Sequence, residues 1–259
     1  MNPNHSKMKT TRRQIQFCLA PVLLFIAFIA APLRADDQMA QQPSQPAQAS
    51  HLYYLTGKKP DAIALLAPPP LPDSAEQAAD MDEVRTVYHA ATSNDIAAAY
   101  SEKKFDVFNF TPAIGDFFMP GKFPKTEAFF QRVQSDAETI TDNAKNFYKR
   151  PRPYVTDPSL INGKLEKSFS YPSGHSTESM VLALVLADLF PDKHDAIIAK
   201  ARLIGWHRVQ TARHYPTDIY AGRVLAQAIV KQMVKSDAFQ RDFTEAKAEI
   251  AAVQTATNN

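Results

Sequence analysis

The chain of 259 residues has one cysteine, Cys18, and seven glycines, against nineteen prolines. Because Cys18 lies in an apolar N-terminal run, the rest of the chain can form no disulfide, no thiolate nucleophile and no zinc–cysteine site. With so little glycine for tight β-turns, we expect helices separated by breaks at proline. The formal net charge of +2 is too small to indicate a polyanionic partner such as a nucleic acid.

The N-terminus has the parts of an export signal. Basic residues come first, then an apolar run from Phe17 to Ala31, then Leu33-Arg34-Ala35, which offers a small residue for cleavage. A run of 15 residues is short for a bilayer span of about 20, so a signal peptide over 1–35 is favoured over an uncleaved anchor. We therefore expect a periplasmic or secreted protein with no membrane attachment after cleavage.

The remaining chain divides into a loose N-terminal arm over 36–73 and a single helical domain over 74–259. The arm ends in a proline-rich strap at residues 67–72. Residues 105–124 show no clear period and predict a long loop. Residues 175–190 are apolar nearly all round, which is typical of a buried central helix. The spacing of apolar residues predicts further helices over 74–90, 93–104, 125–149, 193–212, 217–234 and 236–256. The predicted fold class is an all-α bundle.

Polar residues interrupt the apolar faces of two of these helices. Arg208 continues the apolar stripe of one, and Asp218 shares an inward face with Leu225 on the next. His214 stands four residues before Asp218. A buried arginine needs a partner, so these residues alone leave two interpretations: a structural Arg–Asp pair with His214 as a bystander, or a functional cluster.

Two more segments favour an anion site. Ser173, Gly174 and His175 stand directly before the central helix, where backbone N–H groups and the helix dipole attract anions; the alternative is a simple helix cap with an exposed histidine. The second segment holds four cations at a helix end: Lys145, Lys149, Arg150 and Arg152. Its alternatives are a solvated basic end or contact with nucleic acid, and the near-neutral charge and the export signal disfavour the latter.

Taken in order, these segments resemble the three-part signature of the type 2 phosphatidic acid phosphatase superfamily. The matching elements are Lys145-x6-Arg152-Pro153, Pro172-Ser173-Gly174-His175 and Arg208-x5-His214-x3-Asp218. Beyond them, the LAPPP run at 66–70, the length and the export signal are similar to those of the bacterial class A non-specific acid phosphatases. The resemblance implies an all-α hydrolase of small phosphomonoesters, and it is compatible with a homodimer.

The resemblance also implies a role for each residue. His214 would be the nucleophile that forms a phosphohistidine, Asp218 would hold its other ring nitrogen, and His175 would protonate the leaving group. The phosphoryl oxygens would be bound by Lys145, Arg152, Arg208 and the N–H groups of Ser173 and Gly174. These cations and the helix N-terminus would replace the metal ions that commonly assist phosphoryl transfer, so neither a metal nor a cofactor is expected.

One position departs from the signature, because His207 stands where the family commonly has serine. As a candidate accessory residue, His207 would donate a hydrogen bond, add charge to the pocket or point away. Three other activities remain alternatives: a vanadate-dependent haloperoxidase, a lipid phosphate phosphatase, and a phospholigand binder without turnover. A neutral His214 beside a charged His175 predicts optimal activity at about pH 5–7.

Overall fold

The structure is a computed structural model that describes residues 52–257. Its helices are α1 Ala62–Leu65, α2 Ala75–Ala90, α3 Ser93–Ser101, α4 Thr111–Ile114, α5 Pro124–Tyr148, α6 Pro153–Thr156, α7 Gly174–Leu189, α8 His194–Gln210, α9 Pro216–Met233 and α10 Asp237–Thr257. Residues 52–257 contain no β-strand, which confirms the predicted all-α class. None of the helices within that range has the length and apolar character needed to cross a bilayer.

Helix α7 is the central element and packs against α5, α8 and α9. Val181, Leu182 and Leu186 are fully buried, and the helix has no polar face towards solvent over its middle turns. This confirms the prediction of a buried central helix, since a segment that is apolar all round is stable only when other elements surround it.

Small residues let α8 and α9 approach the first turn of α7 closely. A Cβ on Gly222 would lie 2.9 Å from the carbonyl oxygen of Ser173, and one on Gly205 would lie 3.2 Å from Ser176 Oγ. Ser176 Oγ donates to the carbonyl of Ile219, at 2.7 Å. The close packing brings the start of α9, which carries Asp218, against the start of α7.

Residues 52–73 correct the prediction of a loose arm. Tyr54 and Leu55 are buried, and the carboxylate of Asp136 on α5 accepts hydrogen bonds from the N–H groups of residues 53–55 at 2.7–3.0 Å. The strap is fixed at its start, where the hydroxyl of Tyr171 donates to the carbonyl of Ala67 and that of Tyr148 donates to the carbonyl of Leu66, just before the strap. The predicted signal peptide and residues 36–51 lie outside the described residues.

The predicted loop over 105–124 contains short ordered elements. A 3-10 helix covers Val107–Phe110 and continues into α4. Phe118 and Phe123 are fully buried and their rings lie 5.2 Å apart; Phe190, beyond the end of α7, contacts Phe118 at 5.6 Å. The segment is therefore held by aromatic packing and not by a helical period, which is why its pattern predicted no regular element.

Candidate active site

The predicted site residues come together where four elements end or begin. The last turn of α5 carries Lys145, the residue before α6 is Arg152, the last turn of α8 carries Arg208, and His214 lies in the turn before α9. All four side chains are at most 5% exposed. Three of these helix boundaries have a local cause: Lys149, after the end of α5, adopts a left-handed conformation (φ 51°), and proline begins both α6 and α9.

The two ring nitrogens of His214 have different partners. Nδ1 lies 3.4 Å from Asp218 Oδ2 and 3.3 Å from Ser170 Oγ. Nε2 lies 3.2 Å from Arg152 Nη1. A guanidinium can only donate and a carboxylate can only accept, so the hydrogen belongs on Nδ1 and the lone pair of Nε2 faces the arginine. This is the tautomer that a nucleophilic Nε2 requires.

Asp218 is fully buried and is held by a network that the sequence did not reveal. Arg150 Nη1 lies 2.6 Å from Asp218 Oδ1, and Arg150 Nη2 lies 2.7 Å from Asp80 Oδ2 on α2. Ser170 Oγ and the N–H of Tyr215 donate to Asp218 Oδ2, at 2.5 and 2.9 Å. The predicted Arg–Asp core pair exists, but its arginine is Arg150 and not Arg208.

Arg208 instead pairs with Glu166, a residue that the sequence reasoning did not single out. Glu166 Oε1 contacts Arg208 Nη2, and Glu166 Oε2 lies 2.7 Å from Arg152 Nη2. Arg152 is also fixed by its bonds to the carbonyls of Ser168 and Arg213, both at 2.8 Å. The two arginines therefore lie on either side of one carboxylate.

Lys145 and the start of α7 form the other side of the site. Lys145 Nζ donates to the carbonyl of Phe169, at 3.0 Å, and a Cβ on Gly174 would lie 3.9 Å from the same nitrogen. Burial, with the nearby charge of Arg152, lowers the pKa of Lys145 to about 8. Gly174 is the first residue of α7, so its N–H has no carbonyl within the helix to bond.

The bonding of the Ser173 N–H differs from the prediction that it would bind a phosphoryl oxygen. Its N–H donates to the main-chain oxygen of Asp218, at 3.0 Å, and its hydroxyl accepts from the N–H of Ser176 as the N-cap of α7. The N–H of Ser173 is thus committed to the contact between α7 and α9, whereas the N–H of Gly174 keeps the orientation of a helix start.

Glu102, just after α3, contacts both His175 and His207. Its carbonyl lies 3.1 Å from His175 Nε2, and its carboxylate lies 2.5 Å from His207 Nδ1 and 2.6 Å from Lys200 Nζ. Burial alone would raise the pKa of the Glu102 carboxyl, but the bonds from His207 and Lys200 lower it below its ordinary value. Of the alternatives for His207, the structure shows a hydrogen bond, which its Nδ1 donates to the buried carboxylate of Glu102.

The surroundings keep both His175 and His214 neutral. Burial, followed by the charge of Arg208, lowers the pKa of His175 to about 3. Burial, followed by Arg152 and Lys145, lowers the pKa of His214 well below its ordinary value. A neutral His214 agrees with the expectation from the sequence, whereas the expected positive charge on His175 is absent.

Glu178 on α7 lies beside Gly174 without adding a negative charge there. A Cβ on Gly174 would be 3.2 Å from Glu178 Oε1, and Gln134 donates to Glu178 Oε2 at 3.0 Å. Burial raises the pKa of Glu178 to about 8. Below that pH the carboxyl is protonated, so it does not repel an anion at the start of α7.

The site opens to solvent beside Glu166 and Arg208. A cavity of about 30 Å³ lies there, lined by Lys103, Lys164, Arg213 and residues of α3. Within residues 52–257, no three His, Cys, Asp or Glu side chains converge in a way that could hold a metal ion. What the arrangement provides is a set of cations around a neutral, oriented imidazole, which suits an anionic group of phosphate size.

Comparison with known proteins identifies relatives of this chain. Residues 137–241 match the PAP2 superfamily. A non-specific acid phosphatase from Providencia stuartii is 30% identical over 219 residues, which cover 78% of this chain and 86% of that protein. An acid phosphatase from Zymomonas mobilis is 26% identical over 246 residues, covering 92% and 91%. A crystal structure of a transmembrane PAP2-type phosphatidylglycerolphosphate phosphatase from Bacillus subtilis is 18% identical, with a TM-score of 0.47, over 67% of this chain and 89% of that one.

Proposed function

Because the chain belongs to the PAP2 superfamily and to its non-specific acid phosphatases, we propose that it hydrolyses small phosphate monoesters through a phosphohistidine on His214, without a metal ion. It is a phosphomonoester hydrolase; the intermediate and the roles of the residues are the proposal. The observation that carries it is the environment of His214, whose Nδ1 faces Asp218 and whose Nε2 faces Arg152.

In the first step, Nε2 of His214 attacks phosphorus and the bond to the ester oxygen breaks. The imidazolium that forms is stabilised by Asp218 through Nδ1–H. His175 donates a proton to the departing oxygen, which leaves as an alcohol. In the second step, water attacks the phosphohistidine while His175 takes up its proton, and orthophosphate is released with both histidines restored.

The phosphoryl oxygens are proposed to bind Lys145, Arg152, Arg208 and the N–H of Gly174. The arginines suit this role because their forked donors match the geometry of phosphate oxygens. Because the N–H of Ser173 is already bonded, Gly174 is the residue at the N-terminus of α7 whose N–H is proposed to bind phosphate. The helix dipole also favours negative charge there.

The leaving-group proton is proposed to reach His175 only when a phosphate ester binds. A carbonyl can only accept, so the contact with Glu102 assigns the hydrogen of neutral His175 to Nε2. Nδ1 is then the nitrogen that gains and gives the catalytic proton. A bound dianion offsets the positive charges of Arg208 and Lys145, which raises the pKa of His175 from its low value in the empty site.

The test is hydrolysis of p-nitrophenyl phosphate in EDTA by the wild type, His214→Ala and the control His194→Ala. His194 is an exposed histidine at the start of α8, so its loss should leave turnover unchanged. We expect EDTA-resistant turnover that His214→Ala abolishes. Rapid quenching with labelled substrate should trap label on the wild type and none on His214→Ala. Turnover by His214→Ala at the wild-type rate would refute the phosphohistidine.

We propose further that residues 1–35 are removed and that the mature enzyme, 36–259, acts in the periplasm or outside the cell. The basis is the export signal in the sequence. Fractionation of expressing cells and N-terminal sequencing should find the activity outside the cytoplasm, on a chain that begins at Asp36. Light scattering of the same preparation tests the expected homodimer.

A further inference from the structure

We propose that the carboxylate of Glu166 competes with phosphate for Arg152 and Arg208. It pairs with both arginines when no ligand is bound, and it withdraws when a phosphate ester enters. The inference rests on the proposed function, since it takes Arg152 and Arg208 as the groups that bind phosphoryl oxygens. It assigns to this chain a residue that sets affinity for substrate and product without taking part in the chemistry.

The contacts of Glu166 are those of an anionic ligand. Its two carboxylate oxygens contact one nitrogen each of Arg208 and Arg152, the latter at 2.7 Å. Arg152 Nη1 is in turn 3.2 Å from Nε2 of His214. The carboxylate is therefore held one guanidinium away from the nucleophilic nitrogen, where phosphoryl oxygens would have to bind.

The side chain of Glu166 has a route out of the site while its backbone stays in place. The hydroxyl of Tyr154 holds both the N–H and the carbonyl of Glu166, at 3.1 and 3.2 Å. The side chain is 27% exposed, whereas those of Arg152 and Arg208 are 3% and 5% exposed. Rotation of the glutamate side chain into solvent is thus cheaper than movement of either arginine.

Electrostatics require Glu166 to withdraw. Burial alone would raise its pKa, but Arg152 and Arg208, followed by His214 and His175, lower the pKa to about 2. The carboxylate is therefore charged at every pH at which the enzyme would work, and it cannot share the arginines with a phosphate dianion by taking up a proton. Its return after hydrolysis competes with orthophosphate for the same arginines, which favours release of the product.

The exchange of Glu166 for phosphate also explains how the fold tolerates its buried cations without a ligand. Unpaired buried charges are strongly destabilising, and Arg152, Arg208, Arg213 and Lys145 are all buried within the same region. Glu166 supplies the anion that the unliganded fold needs, and phosphate replaces it during turnover. The folded state is in this way stabilised both before and after substrate binds.

The test compares Glu166→Gln with the control Glu138→Gln. Glu138 is an exposed residue of α5 whose carboxylate interacts with Asp142 and Lys145, so its substitution removes a carboxylate near the site that does not pair with Arg152 or Arg208. Inorganic phosphate is titrated into each protein by calorimetry, and KM and kcat are measured with p-nitrophenyl phosphate. For Glu166→Gln we expect Kd and KM to fall about tenfold with no rise in kcat, and for Glu138→Gln a change within about twofold.

Thermal unfolding with and without phosphate separates competition from simple loss of structure. Competition predicts that Glu166→Gln melts below the wild type without phosphate and gains more in Tm from saturating phosphate than the wild type does. Turnover with unchanged or weaker phosphate binding in Glu166→Gln would overturn the inference alone. A wild type that neither binds phosphate nor hydrolyses the ester would overturn the proposed function and the inference with it.

Discussion

Arg150 Nη1 lies 2.6 Å from Asp218 Oδ1, while the other oxygen of Asp218 faces His214. The second nitrogen of the same guanidinium lies 2.7 Å from Asp80, and its carbon sits 3.8 Å above the centre of the Tyr215 ring. Arg150 therefore fixes the carboxylate that faces the proposed nucleophile. We expect it to act as a positioning residue and not as a catalytic one.

Arg150→Lys should lower kcat about 10- to 100-fold while KM stays within about twofold, because an ammonium cannot bridge Asp218 and Asp80 as a rigid fork does. Steady-state kinetics with p-nitrophenyl phosphate checks this. The control is Arg85→Lys, which changes an exposed arginine whose carboxylate partners lie near the surface. If KM rose instead while kcat held, Arg150 would belong to the phosphate site.

His207→Ser, which restores the residue common in the family, should destabilise this chain. Glu102 is buried and would lose one of the two side chains that hydrogen-bond its carboxylate. Leaving a buried carboxylate short of a hydrogen bond costs about 1–3 kcal/mol. Urea denaturation should show a loss of that size, and a smaller loss for Lys200→Gln, since Lys200 is 20% exposed. Equal or greater stability in His207→Ser would mean that the histidine is not the partner that Glu102 requires.

The long helices were predictable because each has a local pattern. Apolar spacing predicted a helix over 125–149 and α5 covers Pro124–Tyr148; the prolines that begin α6 and α9 also lie where the sequence predicts breaks. Segments without such a pattern were missed. The order of residues 52–55 depends on Asp136, which lies 82 residues from Tyr54 along the chain, and no local spacing carries that information.

The site residues divide in the same way, into those that belong to a local sequence motif and those that do not. Residues within the three motifs could be predicted to share a site, because their order and spacing resemble the signature of a known family. Glu166, Glu102 and Asp80 could not, because each is a single acid in an ordinary polar segment and acquires its role from partners distant in the chain, such as Arg208 at 42 residues from Glu166. The N–H of Ser173 was misassigned because its bond to Asp218 depends on how closely α9 packs on α7.

The empty enzyme should lose stability in acid through His175. Its pKa is about 3 when folded and about 6.5 when unfolded, so the unfolded chain binds the extra proton between these values. The contribution of neutral His175 to stability is fully present above the pKa of the unfolded state, and it is lost as the pH falls towards the pKa of the folded state. Between about pH 7 and pH 5 the loss from this group is about 2 kcal/mol. Over the same pH interval, the free energy of unfolding measured by urea denaturation should fall by that much more for the wild type than for His175→Asn.

The same low pKa makes anion binding depend on protons. Sulfate keeps its double charge over the working range of pH, so any proton taken up when it binds must go to the protein. A dianion beside Arg208 and Lys145 offsets the charges that, after burial, keep His175 neutral, and its pKa rises. Binding is then strongest below the raised pKa of His175 and weakens as pH increases through it, by linkage.

Calorimetry of sulfate binding in two buffers with different ionisation enthalpies measures that proton directly. The wild type should take up about one proton per sulfate at about pH 5, and His175→Asn should take up markedly less while still binding the anion. His89→Asn, which changes a histidine at the end of α2, should match the wild type. Sulfate binding without proton uptake in the wild type would show that His175 stays neutral in the complex, and the leaving-group proton would then have to come from the substrate or from water.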